Sequence, residues 1–100
     1  MKQEQETISI STFRANLRKY CHAVKLGRKE LTVTYHKEDL FKVVKAPEAR
    51  FSYEVELSFI RYQMKDFAEL IEQKSTIVLI LRGKPLVKCE LIDDRANTDA

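Results

Sequence analysis

Apolar and polar residues follow one another in two rhythms along this chain. The stretch TISI, Thr7 to Ile10, reads as a short strand, and LTVTY, Leu31 to Tyr35, alternates and is rich in β-branched residues, which predicts a half-buried strand. Between them Phe13, Leu17, Tyr20, Cys21 and Val24 recur at helical spacing, predicting one amphipathic helix with Ser11 as its N-cap and Gly27 as its stop. The polar corner His36-Lys37-Glu38-Asp39 separates LTVTY from LFKVV, so these two segments are expected to form a hairpin. The order is β-α-β-β, and Pro47 in the polar stretch APEARFS is expected to end it.

The same order then starts again. YEVEL reads as a strand, Ser58 as a cap, and Ile60, Met64, Phe67, Ala68 and Ile71 as a second helical stripe, before TIVLIL and LVKCELI form a second hairpin. At an offset of 47, Ser11 falls on Ser58, Arg14 on Arg61, Leu17 on Met64, Arg18 on Lys65, Tyr20 on Phe67 and Val24 on Ile71. After one dropped residue, an offset of 46 brings Leu40 onto Leu86 and Lys42 onto Lys88. This period points to an internal repeat, although two amphipathic segments can resemble each other by chance. At the second corner Gly83 supplies a residue free to take positive φ, whereas Pro85 lacks the N–H to close a tight two-residue turn onto Arg82. A longer or open loop is therefore expected there.

Charge divides the two halves. The first fifty residues hold 11 Lys and Arg against 6 Asp and Glu, a surplus of +5, and the second fifty hold 7 against 9, or −2. From Ser11 to Lys29 the basic residues are Arg14, Arg18, Lys19, Lys25, Arg28 and Lys29, with no acidic one among them. Solvated helix faces usually mix signs to gain i,i+4 pairs, and a one-signed run forgoes them; an anionic partner explains the choice. A chain of 100 residues supports one small core of modest stability. Cys21 and Cys89 lie far apart with no CxxC or Cys/His neighbourhood, so they read as reduced thiols in apolar positions rather than as a metal site or disulfide framework. With no leader pattern and no apolar run of membrane length, the chain is expected to be cytoplasmic, with no membrane partner.

The segment ISISTFRANLRKYCHAV resembles the opening of Phd/YefM antitoxins, where a strand leads into a Ser-capped helix with Arg three residues after the cap and Leu three after that. LILRGKPLVKCEL is similar to that family's hairpin, whose Arg-Gly-Lys-Pro corner joins its last two strands. The helix is best preserved in the first half and the hairpin in the second. The resemblance implies an α+β fold of two tandem β-α-β-β units, residues 7–46 and 53–92, packed as an intramolecular pseudo-dimer, with a short polar tail over 93–100. It also implies an antitoxin-like DNA-binding transcriptional regulator. Double-stranded DNA would be a partner, and a cognate toxin and a homodimer are further partners left open.

On that reading phosphates are met by Arg14, Arg18, Lys19, Arg28 and Lys29, joined by Arg61, Arg82 and Lys84. Such contacts give affinity and register but carry no sequence information. Arg14, just inside the expected helix start, is placed to hold a phosphate with the first N–H groups. Asn16 suits adenine readout by chemistry and plain solvent exposure by position. The departures from the family pattern are Asp66, Glu69 and Glu72 on the second helix, the absence of Gly and Pro from the first corner, and a tail, DDRANTDA, too short to wrap a toxin. A competing reading is a protein-interaction module, a toxin inhibitor or adaptor, that uses the acidic second half and a sheet edge without binding DNA. An enzyme is not expected: His22, His36, Ser9, Ser11, Ser58 and Ser75 have no partners at catalytic spacing and there is no phosphate-cradling loop, so neither cofactor nor metal is called for. Tyr35, Phe51, Tyr53 and Phe59 suit either stacking on single-stranded nucleic acid or core packing.

Overall fold

The computed structural model describes residues 4–46 and 53–92. The order is β1 (Glu4–Ser9), α1 (Ile10–Ala15), α2 (Leu17–Lys25), β2 (Lys29–Tyr35), β3 (Glu38–Lys45), β4 (Tyr53–Glu56), α3 (Leu57–Tyr62), α4 (Met64–Lys74), β5 (Thr76–Leu81) and β6 (Lys84–Leu91). It is a mixed α+β fold, and the strands form one six-stranded sheet in the order β1-β2-β3-β6-β5-β4. β1 runs parallel to β2 and β4 parallel to β5, while the β2–β3, β3–β6 and β6–β5 pairs are antiparallel. The order of pairings therefore reads the same from either edge. At the central β3–β6 ladder Lys42 faces Glu90, Val43 faces Cys89 and Val44 faces Lys88. Since Val43 and Cys89 are 46 apart, a half-turn about that pair maps the ladder onto itself. The expected linker APEARFS and tail DDRANTDA fall almost wholly on residues 47–52 and 93–100, outside the described residues, as does Phe51.

Both helical stripes are bent. Asn16, at φ −124° and ψ 40°, lies between α1 and α2, and Gln63, at φ −137° and ψ 56°, lies between α3 and α4. The hydrogen-bond ladder carries through each bend: the Asn16 N–H donates to Thr12 and its carbonyl accepts from Tyr20, while Gln63 links Phe59 and Phe67 in the same way. Asn competes for backbone groups and so favours such a break. Gln has no such preference, and Gln63 takes the same bend with no side-chain cap hydrogen bond. The expectation of one helix per half is corrected to a bent pair.

The expected caps are also corrected. Ser9, not Ser11, caps α1, accepting from the Thr12 N–H at 3.2 Å. Starting the helix at Ile10 puts Ile10, Phe13 and Leu17, which are all buried, on one face; a start after Ser11 would leave Ile10 outside the helix. Glu56 occupies the matching place before α3, and Ser58 lies inside that helix. Gly27 (φ 78°) follows α2 as expected, and Ser75 after α4 also takes a positive φ (68°), with ψ −34°.

The corners depart from expectation in opposite ways. Leu81 pairs with Lys84, leaving Arg82 (φ 54°) and Gly83 (φ 80°) as a two-residue turn with both central residues left-handed, the twist that matches flanking strands. The loop is tight, not open. Pro85 costs nothing there because it is not the closing residue: it faces Ile80 at a register shift between Leu79 and Ile80, and bulges tolerate proline. The first corner is the same turn, His36 (φ 53°) and Lys37 (φ 67°), so Glu38 and Asp39 belong to β3 and not to the corner. Its register shift lies between Val33 and Thr34, opposite Phe41 and Asp39. In each hairpin the bulge accommodates one extra residue, Leu40 or Leu86, and both are buried.

Aromatic contacts tie the two halves together. Phe41 of β3 meets Phe13 of α1 edge-on at 6.0 Å and Phe67 of α4 edge-on at 5.6 Å, and all three rings are fully buried. Cys21 and Cys89 are free thiols in the same core. Burial pushes the Cys21 thiol up to about 12. Cys89 rises well above its ordinary value, chiefly by burial and secondarily through neighbouring Cys21. Both stay protonated and unreactive near neutrality. Met64 is only partly buried, unlike Leu17 at 2% exposure, so these matched stripe positions are not equally core.

Candidate nucleic-acid interface

Two basic residues of the first half, Arg18 and Lys19, are brought beside the hairpin of the second. α2 packs over both β3 and β6, crossing from its own half onto the other. Its exposed Arg18, Lys19 and His22 border a shallow groove whose far wall is Leu81 and Leu86 of the β5–β6 hairpin. Exposed Arg82 and Lys84 flank the tip that follows Leu81. The helix and hairpin segments singled out in the sequence thus meet at one end of the molecule, although some sixty residues separate them. No local signal in the sequence announces this, because the contact depends on which half each helix covers.

Arg14 and Arg61 meet where α1 and α3 come together. The Arg14 Nε donates to the Arg61 carbonyl at 2.7 Å, which sets a cation against the last turn of α3. Arg14 lies in the last turn of six-residue α1, so its expected place beside the first N–H groups is corrected. Both arginines are exposed, and Arg18 and Arg61 border the same small cleft, beside Leu57 and Leu81.

The remaining candidates sit elsewhere. Arg28 is exposed just before β2. The Lys29 ammonium is held by Glu6 Oε1 at 2.7 Å, and that hydrogen bond and charge raise its pKa. Asn16 is exposed and sits at the helix bend, its Nδ2 donating to the Thr12 carbonyl at 3.4 Å.

The opposite end has the same elements and a different chemistry. There Glu72 of α4 borders the His36–Lys37 corner and the following Glu38 and Asp39, and Asp66 and Glu69 are exposed along α4 beside Lys65. His36 leans on the Tyr35 ring, with centroids 4.1 Å apart. Among the described residues no group of three or more His, Cys, Asp or Glu is arranged to hold a metal ion, and no helix is long and apolar enough to cross a membrane. Compared with known protein families, curated proteins and solved structures, the chain matches none.

Proposed function

We propose that this chain is a DNA-binding transcriptional regulator of the antitoxin type, built as two tandem β-α-β-β units that pack as a pseudo-dimer about the β3–β6 ladder. The self-matching register around Val43 and Cys89, the paired helix bends and the paired bulges support the two-unit reading, because an isologous two-fold contact sets each position opposite its own counterpart. Fusion replaces subunit association and lets two small units share one core.

The observation that carries the DNA reading is the meeting of the α2 basic face with Leu81 and Leu86 of the β5–β6 hairpin, whose corner exposes Arg82 and Lys84. Arg18, Lys19, Arg82 and Lys84 grip phosphates from two elements held at a fixed spacing, with Arg14 and Arg61 adding positive charge at the α1–α3 junction and Arg28 extending the field. Lys29 contributes less, because Glu6 offsets it. The excess of cations over the one carboxylate bordering the Arg18–Arg61 cleft, Glu56, also steers a polyanion to this end first.

Titrating generic duplex DNA into the full chain at several salt concentrations tests this. If Arg14, Arg18, Lys19, Arg82 and Lys84 all reach phosphates, the slope of log K against log salt should be roughly −4 to −5, from about 0.9 per phosphate neutralised. No binding to any duplex at low salt would overturn the reading.

A further inference from the structure

The second half carries an open groove of about 590 Å³ between edge strand β4 and the α3–α4 pair. Its apolar lining includes Tyr53, Phe59, Tyr62 and Leu70. Tyr62 is 76% exposed and Tyr53 47%, and only Leu26 joins them as an exposed large apolar side chain among the described residues. Such rings in water on a small surface mark an interaction site rather than a packing need. The polar lining is acidic, from Glu54, Glu56 and Asp66, with no Lys or Arg among the described lining residues; Lys74 sits 5.0 Å from the Tyr53 ring, and Arg18 and Arg61 border the adjoining cleft, which shares Glu56 and Tyr62 with this groove.

The first half supplies an internal control. Forty-seven residues earlier, the places of Phe59, Tyr62 and Leu70 are held by Thr12, Ala15 and Ala23, and those of Glu54, Glu56 and Asp66 by Thr7, Ser9 and Lys19. The backbone plan is shared, so the fold does not demand aromatics or acids here.

We infer that this groove docks an extended, Lys/Arg-rich segment of a partner protein that carries an aliphatic or aromatic anchor. The anchor would lie against Tyr62, Phe59 and Leu70, and the cations would meet Glu54, Glu56 and Asp66, a pairing that gives specificity through complementary charge. β4 has only four residues and ends the sheet, so an extended segment can run beside it. Nucleic acid is disfavoured, because the acidic lining repels phosphate. A second copy is also disfavoured: its cationic α2 face would enter this groove head to tail, a heterologous contact that propagates instead of closing.

Panning a random dodecapeptide display library on the full chain tests the inference, with Tyr62→Ala and Asp66→Lys as comparison surfaces. Both positions are exposed and both changes install the residue found 47 positions earlier, so folding is retained, which thermal melts verify. The selected peptides should be enriched in Lys or Arg together with a large apolar residue. Each variant should bind them roughly tenfold more weakly, the loss typical of an anchor residue, and amide shifts on binding should centre on Tyr53–Glu56 and α3. Duplex binding should not be weakened by Asp66→Lys, whose position lines this groove and not the Arg18–Arg61 cleft, which separates this inference from the DNA reading. An absence of enrichment, peptides without a basic excess, or equal binding by the variants would overturn it. So would concentration-dependent chain formation that Tyr62→Ala abolishes, since that would assign the groove to a second copy.

Discussion

The two ends of the molecule share a plan and differ in what they present to solvent. At one end α2 meets the β5–β6 corner and the exposed charges are Arg18, Lys19, Arg82 and Lys84; at the other α4 meets the β2–β3 corner and Asp66, Glu69, Glu72, Glu38 and Asp39 offset Lys65 and Lys37. Inside, the ends are near equals: Phe13, Leu17 and Cys21 are buried in one, Ile60, Phe67, Ala68 and Ile71 in the other. Core positions are held to their character by packing, while surface charge is free to diverge. Each end is also a composite, helix from one half and corner from the other, so neither half alone presents a complete surface.

Phe41 belongs to both ends, and its removal should be the most damaging single change. Phe41→Ala should cost about 3–5 kcal/mol, against a total of roughly 5–15 for a small domain, and should melt both ends together in one transition by denaturant unfolding. Two separate transitions would show that the halves are independent. A smaller and unequal effect is expected at the matched stripe positions. Leu17→Ala should cost about 2–5 kcal/mol, whereas Met64→Ala, at a partly buried site, should fall near the centre of the usual mutational range, about 1 kcal/mol.

The thiols give the gentlest probe of the shared core. Their pKa values are raised on folding, so they contribute fully below the unfolded value near 9.0. As pH climbs above it, the unfolded chain sheds protons that the folded chain keeps, and stability falls by up to about 1.4 kcal/mol per pH unit per thiol. Melts between pH 8 and 11 should show that decline, and Cys21→Val with Cys89→Val should flatten it.

Much of this architecture was legible in the pattern of apolar residues. The stripes from Phe13 to Val24 and from Ile60 to Ile71 have the spacing that buries most of their residues, and five strands cover the alternating or apolar runs expected to form them, whereas β1 begins three residues earlier than the expected Thr7–Ile10 and yields Ile10 to α1. Caps and corners were less legible, for local reasons with tertiary causes. Three hydroxyl residues, Ser9, Ser11 and Thr12, compete for one cap, and burial of Ile10 decides among them. Pro85 argues against a tight turn only if it closes that turn; the bulge beside Leu86 shifts it into β6. The basic run in the first half pointed to a cationic surface, but the addition of Arg82 and Lys84 to it depends on α2 crossing onto β6. The groove beside β4 was concealed because Tyr53 and Phe59 read as strand and core residues until Tyr62 and Asp66 stand next to them.

The unequal ends are tested most directly by titrating duplex DNA at several salt concentrations into the wild type and two double variants. One combines Arg18→Ala with Lys84→Ala, and the other combines Lys65→Ala with Lys37→Ala, which removes the same charge from the opposite end. The first pair should weaken binding to all duplexes alike and reduce the salt slope by roughly 1.8, about 0.9 for each phosphate left without its cation. The second should leave affinity within about twofold, since acidic neighbours already cancel its field. Equal weakening by the two pairs, or no duplex binding by the wild type at low salt, would contradict the account.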